Sequence, residues 1–293
     1  MKLDIGDVAF RGFSLVWKKP LVVLAWAAVY LFAMIVIFVG GGAILVAGAG
    51  GDASGIWNNP ASAAGGIVFI LVGFLLLSSA MLCAAYRVVL RPDASSFAYL
   101  GLGMTELRMA LMLLALAVIA IVLGLVLMLL IGIFIAAALQ GSEAGSLVAS
   151  LIVWGFLAVL SVRFSLTGVV NFAEGKFGLV ESWEITRGNF WTLFAVYLIL
   201  FVFWIIISLL AGFIGTSIQV AMGLPNPWAS LLPQAAPPLE PVSPMTTLAG
   251  FLVSIVINVV ASAVNNMILY APHAAAYAAL TAPGAETTSE VFS

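Results

Sequence analysis

An all-α polytopic membrane protein, with six transmembrane helices in three hairpins, is predicted by three observations. Of the 293 residues, 64% are hydrophobic and only 8% charged, and the mean hydropathy of +1.25 lies far from ordinary soluble usage. A soluble core cannot absorb that much apolar surface. The apolar residues are gathered into runs near 21–47, 66–86, 109–139, 147–172, 190–222 and 247–271, each at least as long as the roughly 20 residues a bilayer requires. All 10 Lys and Arg fall in three short segments, Lys2 to Lys19, Arg87 to Arg108 and Arg163 to Arg187. Cytoplasmic loops collect Lys and Arg while translocated loops lack them, so the stretches near 50–65, 140–146 and 223–246 are expected outside and both termini inside. In hydrocarbon every backbone N–H and C=O must be bonded within its own segment, which uninterrupted runs of this length achieve only as helices.

In chain order, residues 1–19 form the first element, an amphipathic interfacial helix over 3–19. Ile5, Val8, Ala9, Gly12, Phe13, Val16 and Trp17 follow the i, i+3, i+4, i+7 rule, with Asp4, Asp7, Arg11, Ser14 and Lys18 opposite. Pro20 suits the first turn of span one. The run 21–47 is far longer than the about 7–15 residues of a secretion-signal core, so a retained anchor is expected rather than a cleaved leader. Gly40 to Gly42 and Gly48 to Gly51 close that span and allow close helix contact or a turn, and Trp57-Asn58-Asn59-Pro60 reads as an outer turn. Gly103 and Thr105 mark a stop and a cap before the third span. Gly188 and Asn189 do so before the fifth, after a short helix containing Val180, Trp183, Glu184 and Arg187. The start signals Pro20, Thr105 and Asn189 stand about 85 residues apart, which predicts three units, each an interfacial helix, an outward span and a returning span. The third and fifth runs outlast a core of about 30 Å and must tilt, kink or project. Leu224 to Met245 holds seven of the 12 prolines, so that outer loop is stiff and extended. The membrane domain thus covers 20–282, and 283–293 form a short cytoplasmic tail.

A catalytic site needs convergent nucleophiles, bases or ligands. The single histidine, His273, has no carboxylate or cysteine near it in the chain, and no metal-binding spacing appears. The one cysteine, Cys83, lies inside an apolar run and reads as a small hydrophobe. No P-loop, nucleophile elbow or dinucleotide fingerprint occurs. No catalytic residue, cofactor or metal is therefore assigned, and the one-sided, sparse positive charge gives no nucleic-acid partner. Acidic residues are missing from the middle of every span, which disfavours a coupled pump.

Two polar patterns remain. Ser254, Asn258, Ser262, Asn265 and Asn266 share one face of the last span. That stripe reads either as a solute path or lipid slot, or as interhelical hydrogen bonding worth about 0.6 kcal/mol per contact. Arg163, Thr167, Asn171 and Glu174 align on the fourth span, with Arg163 close enough to the inner surface to snorkel and a phosphate-binding role open to it. Around them, Arg11, Lys18, Lys19, Arg87, Arg91, Arg163, Lys176 and Arg187 beside Trp17 and Trp183 suit anionic headgroups. Membrane lipids, anionic at the cytoplasmic face, and other membrane proteins are the expected partners.

The segments Ile5-Gly6-Asp7-Val8 with Phe13, Arg163 through Asn171-Phe172-Ala173-Glu174, and Gly178-Leu179-Val180-Glu181-Ser182-Trp183-Glu184-Ile185-Thr186-Arg187-Gly188-Asn189-Phe190-Trp191 carry a resemblance over nearly the whole chain. The sequence resembles the bacterial glycerophosphoryl diester phosphodiesterase membrane-domain family, which implies a six-span protein of the bacterial inner membrane. It departs from that pattern at the end, where Tyr277 and Leu280 lead into Ala282-Pro283-Gly284 without the family's Arg. The hydrolase domain sometimes fused to that module is not seen, so phosphodiesterase activity is not expected to carry over. The reading is a non-enzymatic integral inner-membrane protein of lipid-organising or membrane-partner type. The alternatives are a facilitator for a small or lipid-like solute along the last-span stripe, and a lipid enzyme using Glu174, His273 and Arg163.

Overall fold

The computed structural model describes residues 3–48, 60–94, 96–138, 143–224 and 243–282. The turn expected at 57–59, the proline-rich loop over 225–242 and the tail 283–293 lie outside the described residues. The chain is all-α, with ten α-helices and no strand among the described residues. They are α1 (Ile5–Ala9), α2 (Arg11–Lys18), α3 (Pro20–Gly48), α4 (Pro60–Leu90), α5 (Met104–Ala138), α6 (Glu143–Phe164), α7 (Thr167–Glu174), α8 (Leu179–Thr186), α9 (Phe190–Ala221) and α10 (Pro244–Thr281). Among the described residues, six spans are long and apolar enough to cross a membrane. The protein is a multi-pass membrane protein.

The three span starts fall within one residue of Pro20, Thr105 and Asn189, at Pro20, Met104 and Phe190. What precedes the first two differs from the expected helix. The N-terminal helix over 3–19 is two helices, because the ladder resets at Phe10 (φ −86°, ψ 0°). Asp4 starts the first by accepting the Gly6 and Asp7 N–H groups at 2.7 and 3.1 Å. Before α5 there is only a 3-10 turn at Ser96–Tyr99, in which Phe97, Ala98 and Tyr99 all take positive φ (35°, 56° and 64°). Only before α9 does a single short helix, α8, stand where it was expected.

The fourth span is also corrected, since 147–172 is not one helix. Ser165 donates its side-chain hydroxyl to the Val162 carbonyl at 2.8 Å, and its N–H turns to the same oxygen at 3.4 Å. A serine that captures a carbonyl three residues back competes with the α-ladder. The helix stops at Phe164 and resumes as α7 at Thr167. The last span overshoots its expected end at 271 and runs through Pro272 to Thr281.

Contacts divide the chain into two units. The first comprises Met1–Phe10, Phe74–Tyr197 and Tyr270–Ser293. Its core joins Leu82, Cys83 and Tyr86 of α4, Met109 and Met112 of α5, Val169 and Phe172 of α7 and Ala274 of α10. Gly168 is needed there, because a Cβ at that position would stand 2.8 Å from the Tyr86 hydroxyl. Cys83 is buried in this core as a free thiol.

The second unit comprises Arg11–Gly73 and Leu198–Leu269. Glycine sets close approaches here: a Cβ on Gly41 of α3 would stand 2.8 Å from Ile70 Cδ1 of α4, and one on Gly73 would stand 2.6 Å from Ile37 Cγ1 of α3. Gly12 is tighter still. Pro272 has no N–H, so the Ile268 carbonyl of α10 loses its helical donor, and α2 lies against that stretch of backbone. A Cβ on Gly12 would sit 2.5 Å from Ile268 Cα and 2.8 Å from its oxygen. By contrast, large side chains on α5 such as Leu125, Met128 and Leu129 are exposed, as lipid-facing surface requires.

Candidate functional site

The chemistry of the first unit begins where α4 gives way to α5. Glu106 lies three residues after Gly103, and its Oε2 accepts the Gly103 N–H at 2.9 Å. That is the reciprocal half of a capping box, which satisfies an N–H that the helix start would leave bare. The other carboxylate oxygen pairs with Arg87 Nη2, and the two side chains are only 17% and 4% exposed. Arg87 Nη1 also donates to the Tyr99 carbonyl at 3.1 Å, and the Tyr99 hydroxyl donates to the Pro92 carbonyl at 2.8 Å. Three consecutive side-chain-bearing residues at positive φ are unfavourable by about 1–2 kcal/mol each, so this turn persists because Arg87 and Tyr99 fasten it.

A second tie links α5, α7 and α10. Arg108 Nη2 donates to the Asn171 carbonyl at 2.9 Å, and Asn171 Nδ2 donates to the Lys176 carbonyl at 2.8 Å. Gly175 ends α7 in the left-handed region (φ 77°), where a side chain would be strained and would crowd Arg108. Glu174 accepts from the Tyr277 hydroxyl at 2.9 Å and takes Lys176 Nζ at 3.3 Å. Asn171 is 1% exposed, and its Oδ1 has no hydrogen-bond partner among the described residues.

The third tie explains the motif over Gly178 to Trp191. Because the chain breaks after Phe164, the Arg163 carbonyl lies in the last turn of α6, where helix carbonyls lack intrahelical partners. It accepts the Ser182 hydroxyl of α8 at 2.8 Å, with the Thr186 hydroxyl 3.5 Å away and donating over the shorter 3.1 Å to the Trp183 carbonyl. Gly178 (φ 78°) lets α8 start against α7, where a Cβ would stand 2.9 Å from Val170 Cβ. The clasp sets Trp183 beside the Arg163 side chain. The guanidinium carbon lies 5.0 Å from the Trp183 ring and 5.3 Å from the Phe190 ring. Its Nη1 is buried and has no hydrogen-bond partner among the described residues.

The expected headgroup ligands therefore separate. Arg87 is engaged by Glu106, Arg91 is exposed with its guanidinium 5.0 Å from the Phe172 ring, and Lys176 is paired with Glu174. Arg187 is exposed after α8, whereas Arg11, Lys18 and Lys19 belong to the second unit. Arg108 and Glu106 were not singled out in the sequence. The signal for Glu106 was present, as a Glu three residues after a helix stop. His273 stacks on Tyr197 with ring centroids 4.8 Å apart.

The polar stripe lies in the second unit on α10. Ser254 accepts from Gln219 Nε2 and donates to the Gly250 carbonyl at 2.9 Å. Asn258 Nδ2 donates to the Ser254 carbonyl at 2.8 Å, and Ser262 is hydrogen-bonded with Tyr30 of α3. Asn265 and Asn266 are half-buried farther along the helix. Ser254, Asn258 and Ser262 face a groove of about 710 Å³ between α10 and α3.

A family model described as "Domain of unknown function (DUF7847)" matches residues 100–280. No curated protein and no solved structure matches the chain. Nothing in these comparisons links it to the glycerophosphoryl diester phosphodiesterase membrane domain. The matched stretch contains Glu106, Arg108, Arg163, Asn171, Glu174, Ser182 and Tyr277, and so covers most of the polar ties.

Proposed function

The chain belongs to the DUF7847 family, and we propose that it is a non-enzymatic protein of the inner (plasma) membrane that binds anionic lipid headgroups at the cytoplasmic surface around Arg163. One observation carries this reading. Acidic partners neutralise Arg87 and Lys176, whereas the Arg163 guanidinium is held between two aromatic rings with one N–H group buried and unmatched. A buried donor without an acceptor is costly, but the Arg163 side chain is only partly buried as a whole, and a headgroup phosphate at its open part supplies a charge-assisted acceptor. Trp183 is 42% exposed beside it, as an aromatic ring at the headgroup level is. The exposed Arg91 and Arg187 add positive charge to the same unit. Both termini lie in the cytoplasm on this reading, because the basic segments stay where synthesis occurs.

The test separates the side chain of Arg163 from its carbonyl. In Arg163→Gln the carbonyl still accepts from Ser182, so the fold is expected to persist. Purified into phosphatidylglycerol-containing nanodiscs and examined by native mass spectrometry, the variant should retain several-fold less phosphatidylglycerol than the parent chain. Retention equal to the parent, in a folded variant, would remove Arg163 as a headgroup ligand.

A further inference from the structure

We infer that the groove between α3 and α10 is a binding site for an uncharged lipid: a hydrocarbon chain carrying a hydroxyl or carbonyl group that reaches the middle of the bilayer. The site uses none of the residues of the Arg163 surface. Its volume of about 710 Å³ falls within the roughly 300–1,000 Å³ of small-molecule sites. The walls are almost wholly apolar, with Met34, Ile35 and Phe38 from α3 facing Phe251, Ile255 and Val259 from α10. An extended hydrocarbon chain fits that lining.

Polar groups interrupt the lining along about 12 Å of α10, from Ser254 through Asn258 to Ser262, and they are not equally available. Ser254 is satisfied by Gln219 and Gly250, and Ser262 by Tyr30. Asn258 differs: one N–H is used within its own helix, while the side chain stays exposed on the groove wall. An amide has a second N–H and two acceptor positions on its oxygen, and leaving them bare in hydrocarbon is unfavourable. A ligand hydroxyl or carbonyl removes that penalty. Charge argues in the same direction. Among the described residues the lining contains no Asp, Glu, Lys or Arg, so an ionised headgroup would be unpaired at this depth.

Depth separates this ligand from the surrounding phospholipid. Tyr30, the partner of Ser262, stands ten residues into α3 from Pro20, about 15 Å along the axis, and Asn258 lies about 6 Å further outward on α10, which keeps it inside a hydrocarbon core of about 30 Å. Phospholipid headgroups do not reside there. A neutral amphiphile whose polar group is small enough to leave the interface meets the hydrogen-bonding level of the groove.

Photocrosslinking in proteoliposomes tests the inference with two probes that share one diazirine-bearing acyl chain, a diacylglycerol and a phosphatidylglycerol, at equal mole fraction. The expected result is preferential diacylglycerol labelling of the peptides spanning 30–39 and 251–262. Asn258→Leu should reduce that labelling about five-fold, the value of one hydrogen bond, and Ile255→Trp should block it by filling the groove. Equal labelling by the two probes would mean that only ordinary boundary lipid occupies the groove, and would overturn the proposal. So would undiminished labelling in Ile255→Trp, whose mutated side chain lies in the groove wall and leaves every hydrogen bond named here intact. Neither outcome bears on phosphatidylglycerol retention through Arg163, so the two readings fail separately.

Discussion

Arg163 serves twice, and the two uses lie on different atoms. Its carbonyl is the anchor of the α8 clasp, and its guanidinium is the cation held by Trp183 and Phe190. Ser182→Ala should therefore weaken the fold by about 1 kcal/mol, the net value of a hydrogen bond, while leaving headgroup affinity in the folded fraction near its parent value. Unfolding in detergent, followed by far-UV circular dichroism, measures the first quantity. Arg87 behaves differently, because its partner Glu106 is almost fully buried. Arg87→Met leaves a carboxylate without its counter-charge and should cost about 3–5 kcal/mol. Pairing it with Glu106→Leu should recover a large part of that loss, and failure of the double variant to recover would show that the Gly103 cap, not the ion pair, is the major contributor. In the sequence, Arg163 and Asn171 were visible as an aligned pair. Their partners were not, because Ser182, Thr186 and Arg108 reach them only through tertiary contact.

At the level of elements, span starts were legible and span interiors were not. Pro20 and the Gly-Asn at Gly188 and Asn189 act through local backbone chemistry, which one stretch of sequence specifies. The break at Ser165 follows from one hydroxyl winning a carbonyl from the ladder, which the hydrophobic periodicity of the run does not register. For the same reason the helix expected before α5 became a turn: Arg87 and Tyr99 hold Phe97 to Tyr99 in a conformation that local propensity opposes. The apolar pattern of the N-terminal amphipathic stretch, Gly12 included, was legible as a face, though not as the contact it makes. Gly12 lies against the α10 backbone at Ile268, so Gly12→Leu should lift α2 from α10. Trypsin should then cleave faster after Lys18 in otherwise folded protein, since the Lys19–Pro20 bond resists it, and an unchanged cleavage rate would argue against that packing.

For the molecule as a whole, composition alone established the class, because helices with this apolar content and this much exposed aliphatic surface have no other solvent. The stripe on α10 was legible as a shared face, but that α3 supplies the opposite wall of its groove followed only from the three-dimensional arrangement. Everything proposed for Arg163 rests on the sidedness of the basic segments. Cysteine accessibility measures that directly, in a Cys83→Ala background with single substitutions at Asp93, Lys176 and Ser243, using a thiol reagent that does not cross the membrane of intact cells. The account predicts labelling of Ser243→Cys alone until the cells are opened, when Asp93→Cys and Lys176→Cys label as well. Labelling of Lys176→Cys in intact cells, or absence of Ser243→Cys labelling there, would contradict it.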